Sequence, residues 1–171
     1  MFNFLFIMPE IIVTTSMSLI LLIDLFLKKS NKVISYYLIQ LTLLFLIFFL
    51  FHNFEQIITL NYKNFSTDVF SIVFKMLLIF GLIVIFHYSY NFLNHFKIYT
   101  TEYFLICLFG LLGMMIIASA QDLLILYLGI ELLSLSLYSI IAYNKDSIFS
   151  SEAAIKYYIL GAIASGFLLF G

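Results

Sequence analysis

QDLLILYLGIELLSLSLYSIIAY, residues 121–143, is the stretch on which the fold class turns. It is long and apolar enough to cross a bilayer, whose hydrocarbon core takes about 20 residues of helix. Yet Glu131 sits in its middle. On a helix, residues three, four and seven apart share a face. Tyr127, Glu131, Ser134 and Tyr138 therefore form one polar stripe, and the other faces are Leu and Ile. An ionisable side chain at bilayer depth costs on the order of 3 kcal/mol on insertion scales. The carboxylate must then face other helices or water rather than lipid, which makes Glu131 the leading candidate for a functional residue. The plainer alternative is a buried carboxylate satisfied by hydroxyls and serving only helix packing.

The rest of the chain has the same character. Of its 171 residues 64% are hydrophobic and 10% charged, with mean hydropathy +1.15. Soluble domains are roughly 45–50% apolar and about 25% charged. The apolar runs do not alternate with polar residues as barrel strands do. The expected class is an all-α membrane protein with about six transmembrane helices. A net charge of −1 and the lack of a basic patch argue against nucleic acid as a partner. All eight basic residues are lysine, a bias in keeping with an AT-rich genome such as an organellar one. The single cysteine, Cys107, has no disulfide partner in the chain and reads as a small buried hydrophobe. No nucleophile with a base, metal-ligand cluster or phosphate loop suggests a stand-alone enzyme.

Taken in order, span one is expected over about Pro9–Leu27. Pro9 suits a first helical turn and Glu10 the positive end of the helix dipole. Asp24, four residues before Lys28, can pair with it. The opening MFNFLFIMPE lacks the marks of a cleaved targeting segment, so this span is expected to be retained. Span two, about Ile34–Phe51, reads as lipid-facing. Residues 52–67 form a polar link with room for a short interfacial helix. Span three is expected over about Asp68–Tyr88. Its Lys75, two turns in, is expected to snorkel its ammonium to the interface; the alternative is a proton-carrying group. His87 reads as a wet span end. A polar connection, 89–101, leads to span four, about Glu102–Ala118, where Gly110 and Gly113 allow close backbone approach. A tight turn at 119–122 leads into the opening stretch, span five. Span six starts at Ser151 or Glu152, capped by Ser150 or Ser151. Glu152 and Lys156 are four apart in the order that favours pairing. Gly161 with Ser165, and Ala162 with Gly166, are small-xxx-small pairs.

Six spans put both ends on one side. Lys28, Lys29, Lys32, Lys97 and Lys145 fall in loops on one face and Lys63 alone on the other. The positive-inside rule places the five in the cytoplasm or mitochondrial matrix, with both termini outward.

Two motifs go beyond a generic bundle: LYLGIELLSLSLY at 126–138 and SSEAAIKYYILGAIASGFLLFG at 150–171. With Pro9–Glu10 and the turn Ser119–Leu123, they make the chain resemble the N-terminal part of the NADH dehydrogenase subunit 2 family, antiporter-like membrane subunits of respiratory complex I. The layout fits throughout, and the specific motifs lie between Ser119 and Gly171. The resemblance implies a proton-translocating subunit of NADH:ubiquinone reductase in the mitochondrial inner membrane, or a bacterial plasma membrane. It implies no cofactor in this chain, since flavin, iron–sulfur clusters and the quinone site belong to other subunits. Residues 1–101 would be an N-terminal three-helix segment. Residues 102–171 would begin a five-helix antiporter-like repeat that this sequence does not complete.

Glu131 takes the family's proton-path carboxylate position, which acts on a lysine two helices later. Lys156, about one turn inside span six, is either a proton entry point, with Glu152 as its partner, or only an interface anchor paired with Glu152. The partner lysine would have to come from a second polypeptide, as in a split subunit, alongside other membrane-arm subunits and lipid. Lys75 departs from the resemblance, which leads one to expect an uncharged residue there. Two other readings stand beside this one: a subunit of a multi-subunit sodium/proton antiporter, and a structural membrane subunit without proton transport.

Overall fold

The computed structural model describes residues 7–26, 33–54, 61–62, 65–95, 101–144 and 146–171. Among them are six helices: α1 (Met8–Phe26), α2 (Val33–His52), α3 (Val69–His95), α4 (Thr101–Ser119), α5 (Leu123–Ile141) and α6 (Ile148–Phe170). Each is long and apolar enough to cross a membrane. The one other regular element among the described residues is a minimal antiparallel hairpin, β1 (Asn61–Tyr62) with β2 (Phe65–Ser66), in register Asn61 to Ser66 and Tyr62 to Phe65. It lies in the link that was open to an interfacial helix; residues 55–60, 63 and 64 of that link are outside the described residues.

The first four helices form a cluster in which α1 and α3 each pack on both α2 and α4, leaving α1 and α3 diagonal to one another. Their apolar residues meet in one core: Val13, Met17 and Ile20 from α1; Ile39, Leu43, Leu46 and Leu50 from α2; Ile72, Ile79 and Phe86 from α3; Leu108, Leu111 and Met115 from α4. The α2 set recurs every three or four residues, so this helix presents a full buried face. That corrects the reading of α2 as simply lipid-facing: a uniformly apolar helix carries no pattern that marks which side its neighbours will cover.

Two boundaries also move. Helix α3 continues seven residues past Tyr88, to His95. Contacts hold this polar extension, since Tyr90 stacks on Tyr36 with ring centroids 4.3 Å apart and Leu93 is buried. Helix α6 starts at Ile148, and its cap is Ser147, whose Oγ accepts from Ser150 N at 3.3 Å. Ser150, an expected cap, donates its hydroxyl to Ile141 O and ties α6 to the end of α5.

Helices α4 and α5 pack backbone to backbone. A Cβ on Gly113 would lie 2.8 Å from Leu133 N and 2.9 Å from Gly129 O, and one on Gly129 would lie 3.1 Å from Ile117 N. In lipid, helix association rests on such van der Waals approach rather than on hydrophobic expulsion from water. The expected roles of Gly110 and Gly113 hold; Gly129, inside the decisive stretch, is the partner that reading did not single out. These pairings run antiparallel, as do Tyr138 with Tyr157 and Tyr158 between α5 and α6. At the other end of the molecule, Asp24 Oδ1 accepts from Ser35 and Thr101 hydroxyls, both at 2.7 Å, joining the end of α1 to the starts of α2 and α4. Lys28, the expected partner of Asp24, lies outside the described residues.

Candidate functional site

On α5 the four stripe residues Tyr127, Glu131, Ser134 and Tyr138 are all half-buried. Ser134 spends its hydroxyl on its own helix, donating to Ile130 O at 2.9 Å and to Glu131 O at 3.0 Å. Such back-bonding satisfies a hydroxyl in lipid without another helix. Tyr138 turns to α6, where its ring meets Tyr157 and Tyr158 edge-on and its hydroxyl occupies the space a Cβ on Gly161 would need. Gly161 thus makes room for one tyrosine rather than for a second helix, while Gly166, of the other small pair, has nothing within 4 Å of where a Cβ would be.

Glu131 stands near the midpoint of α5, and no side chain among the described residues is bonded to its carboxylate. On α6, Lys156 Nζ lies 2.5 Å from Glu152 Oε1, and both side chains are exposed, 70% and 55%. The two acidic positions are not brought together. Tyr138 is level with Tyr157 and Tyr158, and Glu131 lies seven residues, about 10 Å, further along the helix axis. Lys156 therefore sits near one end of the α5–α6 pair and Glu131 near its centre.

The closest meeting of opposite charges inside the bundle is one that sequence reading missed. Lys75 Nζ is 2.6 Å from Glu10 Oε1, with side-chain exposures of 1% and 7%. Lys75 therefore does not snorkel to the interface. It reaches across the diagonal of the four-helix cluster to a carboxylate in the first turn of α1, and a charge-assisted hydrogen bond replaces the hydration that snorkelling would have preserved. The clue was positional: α1 and α3 both start at the same membrane face, so charges within two turns of each start lie within reach of one another.

The chain is thus a polytopic α-helical membrane protein with, among the described residues, one internal charge pair and one mid-span carboxylate. Known proteins narrow this class. A family model described as "NADH:quinone oxidoreductase/Mrp antiporter, TM" matches residues 120–171. NADH-quinone oxidoreductase subunit N of Ruthia magnifica is 43% identical over 166 residues, 96% of this chain and 34% of that protein. Subunit N of Thioalkalivibrio sulfidiphilus is 44% identical over 171 residues, 99% of this chain and 35% of that protein. The chain thus spans about a third of the length of the curated relatives it matches. A chain of respiratory complex I from Thermus thermophilus, solved with bound aureothin, has the same fold: TM-score 0.75 over 95% of this chain and 35% of that one, at 24% identity.

Proposed function

We propose that this chain is part of an antiporter-like, proton-translocating membrane subunit of an NADH:quinone oxidoreductase. Glu131 is its proton-path carboxylate, and Lys156 with Glu152 is an entry point at the opposite face from Glu10. The observation that carries the reading is Glu131 itself, half-buried at mid-span with no cation among the described residues bonded to it. A carboxylate at that depth needs a positive partner or water. A nearby carboxylate stabilises a protonated lysine, whereas desolvation favours the neutral amine. A lysine brought to Glu131 would thus hold or release its proton as the carboxylate's influence changes. Similarity to subunit N supports this assignment.

That lysine would be supplied by residues beyond this sequence, on a continuing chain or on a second polypeptide completing the repeat. In the finer form of the proposal the chain is a piece of a split subunit 2 in the mitochondrial inner membrane, with both ends toward the intermembrane space. The six loop lysines on which that orientation rests, Lys28, Lys29, Lys32, Lys63, Lys97 and Lys145, lie outside the described residues. Purification of the complex and sequencing of its membrane subunits would separate the continuing chain from the split one. Tags at the termini, tested for accessibility, would check the orientation.

Glu131→Gln is expected to leave assembly intact and to lower the number of protons moved per NADH oxidised, measured in sealed vesicles. Unchanged pumping at full oxidation rate would overturn the role. A subunit of a multi-subunit sodium/proton antiporter is the second reading, favoured by the breadth of the matching family description. Co-purifying redox subunits would exclude it.

A further inference from the structure

The Glu10–Lys75 pair has no place in the function proposed above, and packing alone is a weak reason for it. Replacing a buried ion pair by apolar residues is often neutral or stabilising, whereas charges inside membrane spans mark proton or ion routes. The surroundings are informative. Glu10 Oε1 holds the lysine, while Glu10 Oε2 is buried with no hydrogen-bond partner among the described residues. An acceptor left that way carries an uncompensated desolvation cost.

On the lysine's side, Ser71 and Lys75 are four apart on α3, Thr67 lies two residues before the helix, and all three are buried, so a file of buried polar groups leads from the start of α3 toward the pair. Ser71 donates to Asp68 O at 2.8 Å, and Asp68 is exposed. Past the pair the file ends. Ile79, Leu82 and Phe86 continue that side of α3, Val13, Met17 and Ile20 continue α1, and all six are buried. The polar route leads to one membrane face, and a dry apolar plug separates it from the other.

We infer that Glu10 and Lys75 form a one-sided proton-binding site, loaded through Thr67 and Ser71 from the membrane face at which α1 begins. A hydronium at that face gives up its proton and leaves water behind. The proton passes along the two hydroxyls, and an O–H bond forms at Oε2 while Oε1 keeps the ammonium. The site gains one positive charge, and loss of the proton by the same route restores the neutral pair. Because the plug blocks the far side, the site stores or reports protons of one compartment and moves none across. The other ionisable groups of the described residues near this face are His52, exposed at the end of α2 and stacked on Phe48, Asp68, and Asp122 before α5.

Infrared difference spectra of the intact complex in sealed vesicles, acidified on one face at a time, would test this. A protonated-carboxyl stretch should appear on acidifying the face at which α1 begins, stay absent on acidifying the other, and vanish in Glu10→Gln. Ser71→Ala keeps both charges and should slow deuterium exchange of that carboxyl about tenfold, the scale of one lost hydrogen bond. A band that arises equally from both faces, persists in Glu10→Gln or never forms in the unaltered protein overturns the inference, as does unchanged exchange in Ser71→Ala. The band is read independently of Glu131, so Glu131→Gln should leave it in place.

Discussion

Glu10 and Glu131 are both carboxylates set into apolar spans, and the two halves of the molecule treat them differently. Glu10 lies inside the four-helix cluster, where Lys75 meets it at 2.6 Å and both side chains are buried. Glu131 lies on a two-helix layer outside that cluster. Half of the α4 span is buried (50%), against 11% for α5 and 6% for α6. Four helices enclose a centre, so a charge there can find a counter-charge across the diagonal. Helix α5 packs mainly on α4 and α6, and no side chain of the described residues is bonded to the Glu131 carboxylate. Position in the helix arrangement, more than residue type, separates a carboxylate neutralised inside the cluster from one that no side chain of the described residues neutralises.

The contrast can be broken most sharply at Lys75. Lys75→Ala leaves Glu10 buried and uncompensated, and should cost about 3–5 kcal/mol of stability, read from unfolding in detergent. The double variant Glu10→Gln with Lys75→Met removes both charges and should recover most of that loss. If the single variant were as stable as the unaltered chain, the pair would not be buried as described. Glu131→Gln should change stability little in the same assay while impairing pumping, the reverse of the Lys75 pattern.

A second, smaller effect separates the packed helix interface from the bare one. Gly113→Ala puts a methyl group against backbone atoms of α5, 2.8 and 2.9 Å away. Backbone cannot step aside as a side chain can, so a loss of about 1–3 kcal/mol is expected. Gly166→Ala meets nothing within 4 Å in this chain and should fall within about 0.5 kcal/mol of no change. If Gly166→Ala weakens assembly of the whole complex but not folding of the chain, the bare face of α6 is covered by another helix. A modest effect should come from Ser147→Ala, which removes the α6 cap at a cost of about 1 kcal/mol. The same change at Ser151, an expected cap, should be silent.

The sequence of this protein determined its class, its six spans and the odd status of Glu131, because each follows from local quantities. Those are the length of an apolar run, its missing alternation, and a charge where lipid tolerates none. It also marked Gly110 and Gly113 as places of close approach, since a missing side chain is itself the signal. Only the tertiary structure decided which charges meet. Lys75 and Glu10 are 65 residues apart, on helices that are not side-by-side neighbours, and nothing in either local stretch says that one completes the other. The face that α2 buries, the two extra turns of α3 and the cap of α6 were settled the same way. In uniformly apolar helices the physical preference of each residue is nearly the same on every side, and the choice falls to whatever the neighbouring helices bring within reach.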